Sequence, residues 1–218
     1  MQLLSVNVGQ KSTIQIAGKS GETGIFKQPV ETPVLITTFG LENDAIVDVQ
    51  NHGGVDQAVY VYSDDDYRWW AETLGRTLAP GTFGENLTIS DLPTADLQIG
   101  DRLRVGAALL EITAPRIPCS TLAARMGDPA FVKRFRAAER PGLYCRVIEP
   151  GRVRAGDPVT LERYGGATIT VTAMYRQYYI SKDLDEAALR QALAAPLAVR
   201  ARQDYQERLD RLVAQNLV

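Results

Sequence analysis

Apolar and polar positions alternate along much of this chain in short bursts, and turn-forming residues close most of them. Residues 3–8, 34–39, 59–62, 102–105, 109–113, 142–148 and 159–163 carry the β-branched, aromatic and alternating patterns that predict strands. Another strand is expected where the glycine-punctuated stretch 79–89 ends in Leu87, Thr88 and Ile89. Helical spacing appears first at Tyr67, Trp70 and Leu74, with Ser63 and three aspartates ahead of them and Gly75 behind. A short helix is expected over 123–126, closed by Gly127, and another after Asp128-Pro129, running through Phe131, Val132 and Phe135. Many short strands and few helices predict a mainly β fold over residues 1–165, a closed or nearly closed β-barrel with peripheral helices.

Past Gly165-Gly166 the pattern changes. Residues 185–195 are rich in alanine and leucine, Pro196 interrupts them, and Ala201, Tyr205, Leu209 and Leu212 form one apolar helical stripe. Residues 166–218 are therefore expected to form a small helical appendage. Within it, 168–175 reads either as a strand or as a first helix.

Composition narrows the function classes. The chain has 218 residues and a formal net charge of −2, and no run of lysine and arginine points to nucleic acid or a membrane surface. No apolar run approaches the roughly 20 residues of a membrane span, and the first residues lack the pattern of an export signal, so a cytoplasmic protein is expected. Two cysteines and one histidine cannot alone complete a four-ligand zinc site or hold a four-cysteine cluster.

The candidate chemistry lies in four places. Cys119 follows a strand and precedes a helix in a turn stiffened by Pro115 and Pro118, with Arg116 nearby. Such a thiol is either an activated thiolate, nucleophile or soft-metal ligand, or a buried inert side chain. Lys19, Ser20 and Lys27 lie in a glycine-rich stretch, 18–30, that reads as a phosphate-cradling loop or as an exposed flexible one. His52 is the only histidine, beside Gly53-Gly54 and near Asp56, which suggests a site or a satisfied structural residue. Asn86 suits either a turn or a ligand contact.

Taken together and in order, these stretches resemble the MOSC family, named for the C-terminal domain of molybdenum cofactor sulfurases, in its stand-alone YiiM-like branch. The resemblance is carried by Lys19-Ser20, by Ile25-Phe26-Lys27-Gln28-Pro29-Val30, and by Asp44 to Asp48 leading into His52-Gly53-Gly54-Val55-Asp56-Gln57-Ala58-Val59. Phe83-Gly84-Glu85-Asn86-Leu87, Ile99-Gly100-Asp101, Pro115-Arg116-Ile117-Pro118-Cys119 and the 142–147 strand extend it over nearly the whole chain. Two departures stand out: Asn43 occupies a position often held by glycine, and Leu143 rather than an aromatic follows Gly142.

The resemblance implies a barrel of the pyruvate-kinase-insert type with a three-helix appendage, carrying a molybdenum cofactor of the molybdopterin type. Cys119 would be the molybdenum ligand. Lys19, Ser20, Lys27, Arg116 and Arg146 would counter the charge of the cofactor's phosphate and dithiolene, and Asn86 would contact the pterin. His52 and Asp56 would lie at the mouth of the site, with His52 as proton donor. The implied activity is reduction of small N-hydroxylated compounds, hydroxylaminopurine bases among them, with electrons from a separate reductase. The rival readings are a carrier of cofactor or of a Cys119 persulfide, and a thiol hydrolase pairing Cys119 with His52. A homodimer formed through the helical tail is compatible with either class.

Overall fold

The computed structural model describes residues 1–48, 53–179 and 184–215. The chain begins with β1 (Leu3–Gly9), the hairpin β2 (Ser12–Ile16) and β3 (Lys19–Thr23), and β4 (Lys27–Pro29). The stretch 18–30 is thus two strands and a tight turn rather than a loop. Next come β5 (Val34–Thr37), β6 (Gly40–Leu41), a single 3₁₀ turn at Val55–Gln57, and β7 (Val59–Ser63). Helix α1 (Asp64–Leu74) begins where Ser63 Oγ accepts from the Asp65 amide and ends at Gly75, which is left-handed at φ 64°.

After α1 the chain forms β8 (Leu87–Ile89), β9 (Arg102–Val105), β10 (Ala108–Pro115), α2 (Ser120–Met126) and α3 (Phe131–Ala138). It then adds β11 (Leu143–Glu149), β12 (Gly151–Val153) and β13 (Val159–Glu162), and finishes with α4 (Val171–Tyr179), α5 (Glu186–Ala194) and α6 (Val199–Gln215). Helix α3 starts later than Asp128-Pro129 suggests, because Asp128 forms its own turn, accepting from the Ala130 and Phe131 amides. The ambiguous stretch 168–175 resolves into an isolated bridge at Thr170, whose hydroxyl accepts from the Ala173 amide, followed by α4.

One mixed sheet of eight strands organises the molecule, in the order β13-β9-β10-β11-β7-β8-β1-β4, antiparallel throughout except for β7 and β8. The expected closed barrel is not formed by a continuous ladder: among the described residues no sheet closes on itself. Across the gap the start of β1 meets the start of β13 only through the Gln2–Pro158 bridge and a few amide bonds, among them Leu3 to Asp157 and Val159 to Met1.

The main core runs continuously from the sheet into the tail. Leu110, Ile112 and Val61 belong to the same buried cluster as Met174, Leu189, Tyr205 and Leu209, so α4 to α6 pack on the sheet rather than around a core of their own. A second cluster, mostly aromatic, joins Tyr60 and Tyr62 of β7 to Tyr67, Trp70, Phe83, Phe131 and Phe135. It lies under the turn that carries Cys119. Among the described residues no helix is long and apolar enough to cross a membrane.

Candidate functional site

Strand β10 ends at Pro115, and the proline-framed run that follows delivers Cys119 in extended geometry, φ −128° and ψ 170°, just outside α2. Its carbonyl accepts the first amide bonds of that helix, from Leu122 and Ala123, so the residue is held at its backbone while its side chain is half-buried. Arg116 lies beside it and is only 4% exposed. The guanidinium sits 5.3 Å from the Tyr60 ring centroid and 5.7 Å from that of Phe135, and is hydrogen-bonded to Tyr144. Its Nη1 is buried with no partner.

Burial alone would lower the Arg116 pKa. The Tyr60, Tyr144 and Cys119 side chains outweigh it, raising the value above that of free arginine. Arg116 is therefore a fixed cation. Burial in turn pushes both phenols above their ordinary value. Tyr60 and Tyr144 face each other across β7 and β11, with ring centroids 5.3 Å apart.

The opposite wall is polar and buried. Lys27 Nζ reaches both carboxylate oxygens of Asp44, with side chains 9% and 3% exposed. The same carboxylate accepts from the Gly9 amide at 2.8 Å and from Asn86 Nδ2 at 2.8 Å. Asn86 Oδ1 takes the Tyr60 amide at 3.1 Å, so this side chain ties β7 to the segment bearing Asp44. Close approach of the chain here requires glycine at two positions: a Cβ on Gly24 would overlap the Ala45 carbonyl oxygen, and one on Gly9 the Gly24 carbonyl oxygen. Behind the wall lies Glu85, fully buried, whose Oε1 accepts from Tyr67 Oη, the Gly81 amide and Thr88 Oγ1. Burial pushes its pKa up.

Between these walls is a cleft of about 730 Å³, its open mouth included. Four of the expected residues, Lys27, Asn86, Arg116 and Cys119, line it together with Asp44, Gln57, Tyr60, Thr121 and Tyr144.

Other expected residues lie elsewhere. Lys19 and Ser20 are exposed at the start of β3, paired with Ile16 and Gln15, and do not line the cleft. Arg146 is directed to the helical tail: it pairs with Asp56 at 3.0 Å and donates to the carbonyls of Pro196 and Leu197. Asp56 Oδ2 accepts the Val199 amide at 2.7 Å, at the start of α6. These two residues therefore fasten the tail to the 3₁₀ turn that follows Gly53, itself a lining residue. His52 lies outside the described residues. Cys145 is fully buried, with its thiol pushed up by burial and by Glu111.

Sequence reasoning gave no separate role to Asp44, Tyr60 or Tyr144. Asp44 stands in a stretch that carried the resemblance, but its partner Lys27 is brought to it only by folding. The tyrosines looked like strand aromatics. Among the described residues no group of three or more His, Cys, Asp and Glu could hold a metal ion.

A family model described as MOSC domain matches residues 48–160. The uncharacterized protein YflK of Bacillus subtilis is 36% identical over 213 residues, covering 97% of this chain and 96% of that one. The crystal structure of YiiM from Geobacillus stearothermophilus aligns with a TM-score of 0.79 at 31% identity, covering 95% of this chain and 98% of that chain. A protein of Gibberella moniliformis named Reductase is 32% identical over 163 residues, 73% of this chain but 29% of its own length.

Proposed function

The chain belongs to the MOSC family, in its YiiM-like branch, and we propose that it is a molybdenum-cofactor-dependent reductase of N-hydroxylated compounds, such as hydroxylaminopurine bases, served by a separate electron-donating reductase. One observation carries the reading. The Cys119 thiol shares a cleft with Arg116, a nearly buried cation with an unpartnered Nη1. A site with a single soft ligand and uncompensated positive charge suits an anionic dithiolene cofactor that brings most of its own metal ligands. The fungal relative named a reductase supports the redox class.

When bound, such a cofactor supplies the two-electron reduction of an N–OH group to an amine and water. The chain's own part is to bind, orient and deliver protons. Cys119, held by the proline-framed turn, is the ligand. Arg116 offers its Nη1 proton to an acceptor in the cleft, beside the Tyr60 and Tyr144 phenols, whose pKa values burial raises. Asn86, already committed to Tyr60 and Asp44, shapes the pterin side of the wall rather than moving. His52, next to the lining residue Gly53, is assigned proton delivery because an unperturbed imidazole titrates near neutrality. Asp56 acts at a distance, by tethering. The setting proposed is a reducing cytoplasm.

The test is elemental analysis for molybdenum in protein made by cells competent for molybdopterin synthesis, with Cys119→Ala beside it. About one molybdenum per chain is expected in the parent and little in the variant, together with loss of reduction of an N-hydroxylated substrate by chemically supplied electrons. Absence of molybdenum from both proteins would overturn the reading.

A further inference from the structure

Arg116 has a second set of neighbours, which do not line the cleft. Phe135 of α3, its ring centroid 5.7 Å from the guanidinium, is fully buried, and its carbonyl accepts from Tyr175 Oη of α4 at 3.4 Å. The Tyr175 ring meets that of Tyr179 edge-on at 5.2 Å, and Tyr179 meets Tyr178 in the same way at 5.1 Å. Tyr178 is 52% exposed. A series of direct contacts therefore leads from Arg116, beside Cys119, to the surface of the helical tail. Tyr178 also lines a second cleft, between the tail and the cysteine turn, together with Pro115, Ile117, Met174 and Arg200.

The surface at the outer end of this series is cationic. Helix α3 carries Lys133, Arg134 and Arg136 at exposed positions and no acid. Arg134 is paired with Asp128, and Arg176 of α4 with Glu139. Among the described residues no acid lies within ion-pair distance of Lys133, Arg136 or the exposed Arg200. The Arg136 guanidinium instead lies 4.1 Å from the centroid of the Tyr179 ring. Held over an aromatic face, this cation keeps its place and its charge.

The geometry points to a docking surface for an acidic electron-transfer protein on α3 and α4, around Lys133, Arg136 and Tyr178, with the packed rings behind it as the route toward Cys119. The inference rests on the proposed reductase reading. Electron tunnelling weakens steeply with distance and crosses packed atoms better than open gaps, so a donor must meet the surface where packed side chains reach the metal ligand. A donor seated here leaves the mouth of the catalytic cleft to substrate. The rings are the intervening medium and are not themselves oxidised. Each turnover takes two electrons from the donor, which is oxidised, and two protons. The N–O bond of R–NHOH breaks, one proton goes to nitrogen and one to the departing oxygen, and the products are the amine and water.

The probe is reduced plant-type ferredoxin, a small acidic iron–sulfur protein of low potential. Reduced methyl viologen, a small cation that needs no docking surface, serves as the comparison. Both are oxidised anaerobically by molybdenum-loaded protein and an N-hydroxylated base and followed by absorbance. The double variant Lys133→Glu/Arg136→Glu should accept electrons from ferredoxin at least about tenfold more slowly than the parent at low ionic strength, with the gap closing as salt is added. Viologen-driven rates of the two proteins should agree. Calorimetric titration of cofactor-free protein with oxidised ferredoxin supplies a readout without turnover: the parent should bind, and the double variant more weakly. Tyr179→Leu, which opens a gap in the series of rings, should slow the ferredoxin reaction and leave the viologen reaction unchanged.

Equal ferredoxin rates in parent and double variant at low salt, or no binding by the cofactor-free parent, overturn the docking surface. Equal slowing with both donors overturns it as well, because the charges would then act on the catalytic cleft itself. An unchanged ferredoxin rate in Tyr179→Leu overturns the route. A parent that turns over with viologen and is indifferent to the charge reversal keeps the reductase reading and loses this surface. A parent that never acquires molybdenum sinks that reading and, with it, the electron-transfer role of this surface.

Discussion

Lys27 and Asp44, 17 residues apart, form an ion pair with side chains 9% and 3% exposed, and the Asp44 carboxylate also collects the Gly9 amide and Asn86 Nδ2. The charge that the cleft wall presents through Lys27 is cancelled before any ligand arrives. The net positive charge beside Cys119 therefore comes from arginine.

The pair is asymmetric. Removing Asp44 strands the Lys27 ammonium, the Gly9 amide and one Asn86 donor together, whereas removing Lys27 leaves Asp44 two neutral donors. Asp44→Ala is expected to destabilise the protein by about 3–5 kcal/mol, and Lys27→Met by clearly less. Urea denaturation of the two variants measures both. Equal losses would show that Asp44 draws little from its neutral partners.

Glu85 gives the fold a pH dependence of known sign. Burial raises its folded-state pKa above the ordinary 4.5, so the folded protein keeps a proton that the unfolded chain releases. The stability this group contributes is fully present below pH 4.5 and is lost as pH rises through the folded value. Glu85→Gln keeps an acceptor for Tyr67, Gly81 and Thr88 and cannot ionise. Its stability relative to the parent should rise from about pH 4.5 toward neutrality and be constant below. A margin independent of pH in denaturation series would refute this origin.

Asp56 holds the start of α6 through the Val199 amide and holds Arg146 by an ion pair. Asp56→Ala should cost about 1–2 kcal/mol, in the manner of a lost helix cap. Amide exchange over 196–205 should rise, since Pro196 and Leu197 depend on the same arginine. Loss of activity without any change in that exchange would place Asp56 in the chemistry instead.

Much of this protein was legible locally. Ser63 and Gly75 bound α1, Asp185 caps α5 by accepting the Ala188 amide, and Asn43 takes a left-handed φ of 63°, a conformation its short polar side chain tolerates. The turn that presents Cys119 is encoded within five residues by two prolines. Such features depend on backbone sterics and on hydrogen bonds between near neighbours, so sequence by itself determines them.

The destinations of charged side chains were decided by tertiary structure. Tyr144 and Arg146 share a face of β11, as strand alternation requires, while Cys145 between them enters the core. Yet Tyr144 lines the cleft, and Arg146, about 7 Å farther along the strand, passes beyond it to Asp56 and the tail. Alternation specifies the face; only pairing with partners far away in sequence decides where along that face the cleft ends. For the same reason the lysines of 18–30 part company, Lys19 outward on a hairpin and Lys27 inward onto Asp44. The barrel expected from many short strands stops short of a closed ladder, because closure depends on edge partners far apart in sequence, which meet here only through the Gln2–Pro158 bridge and the few bonds beside it.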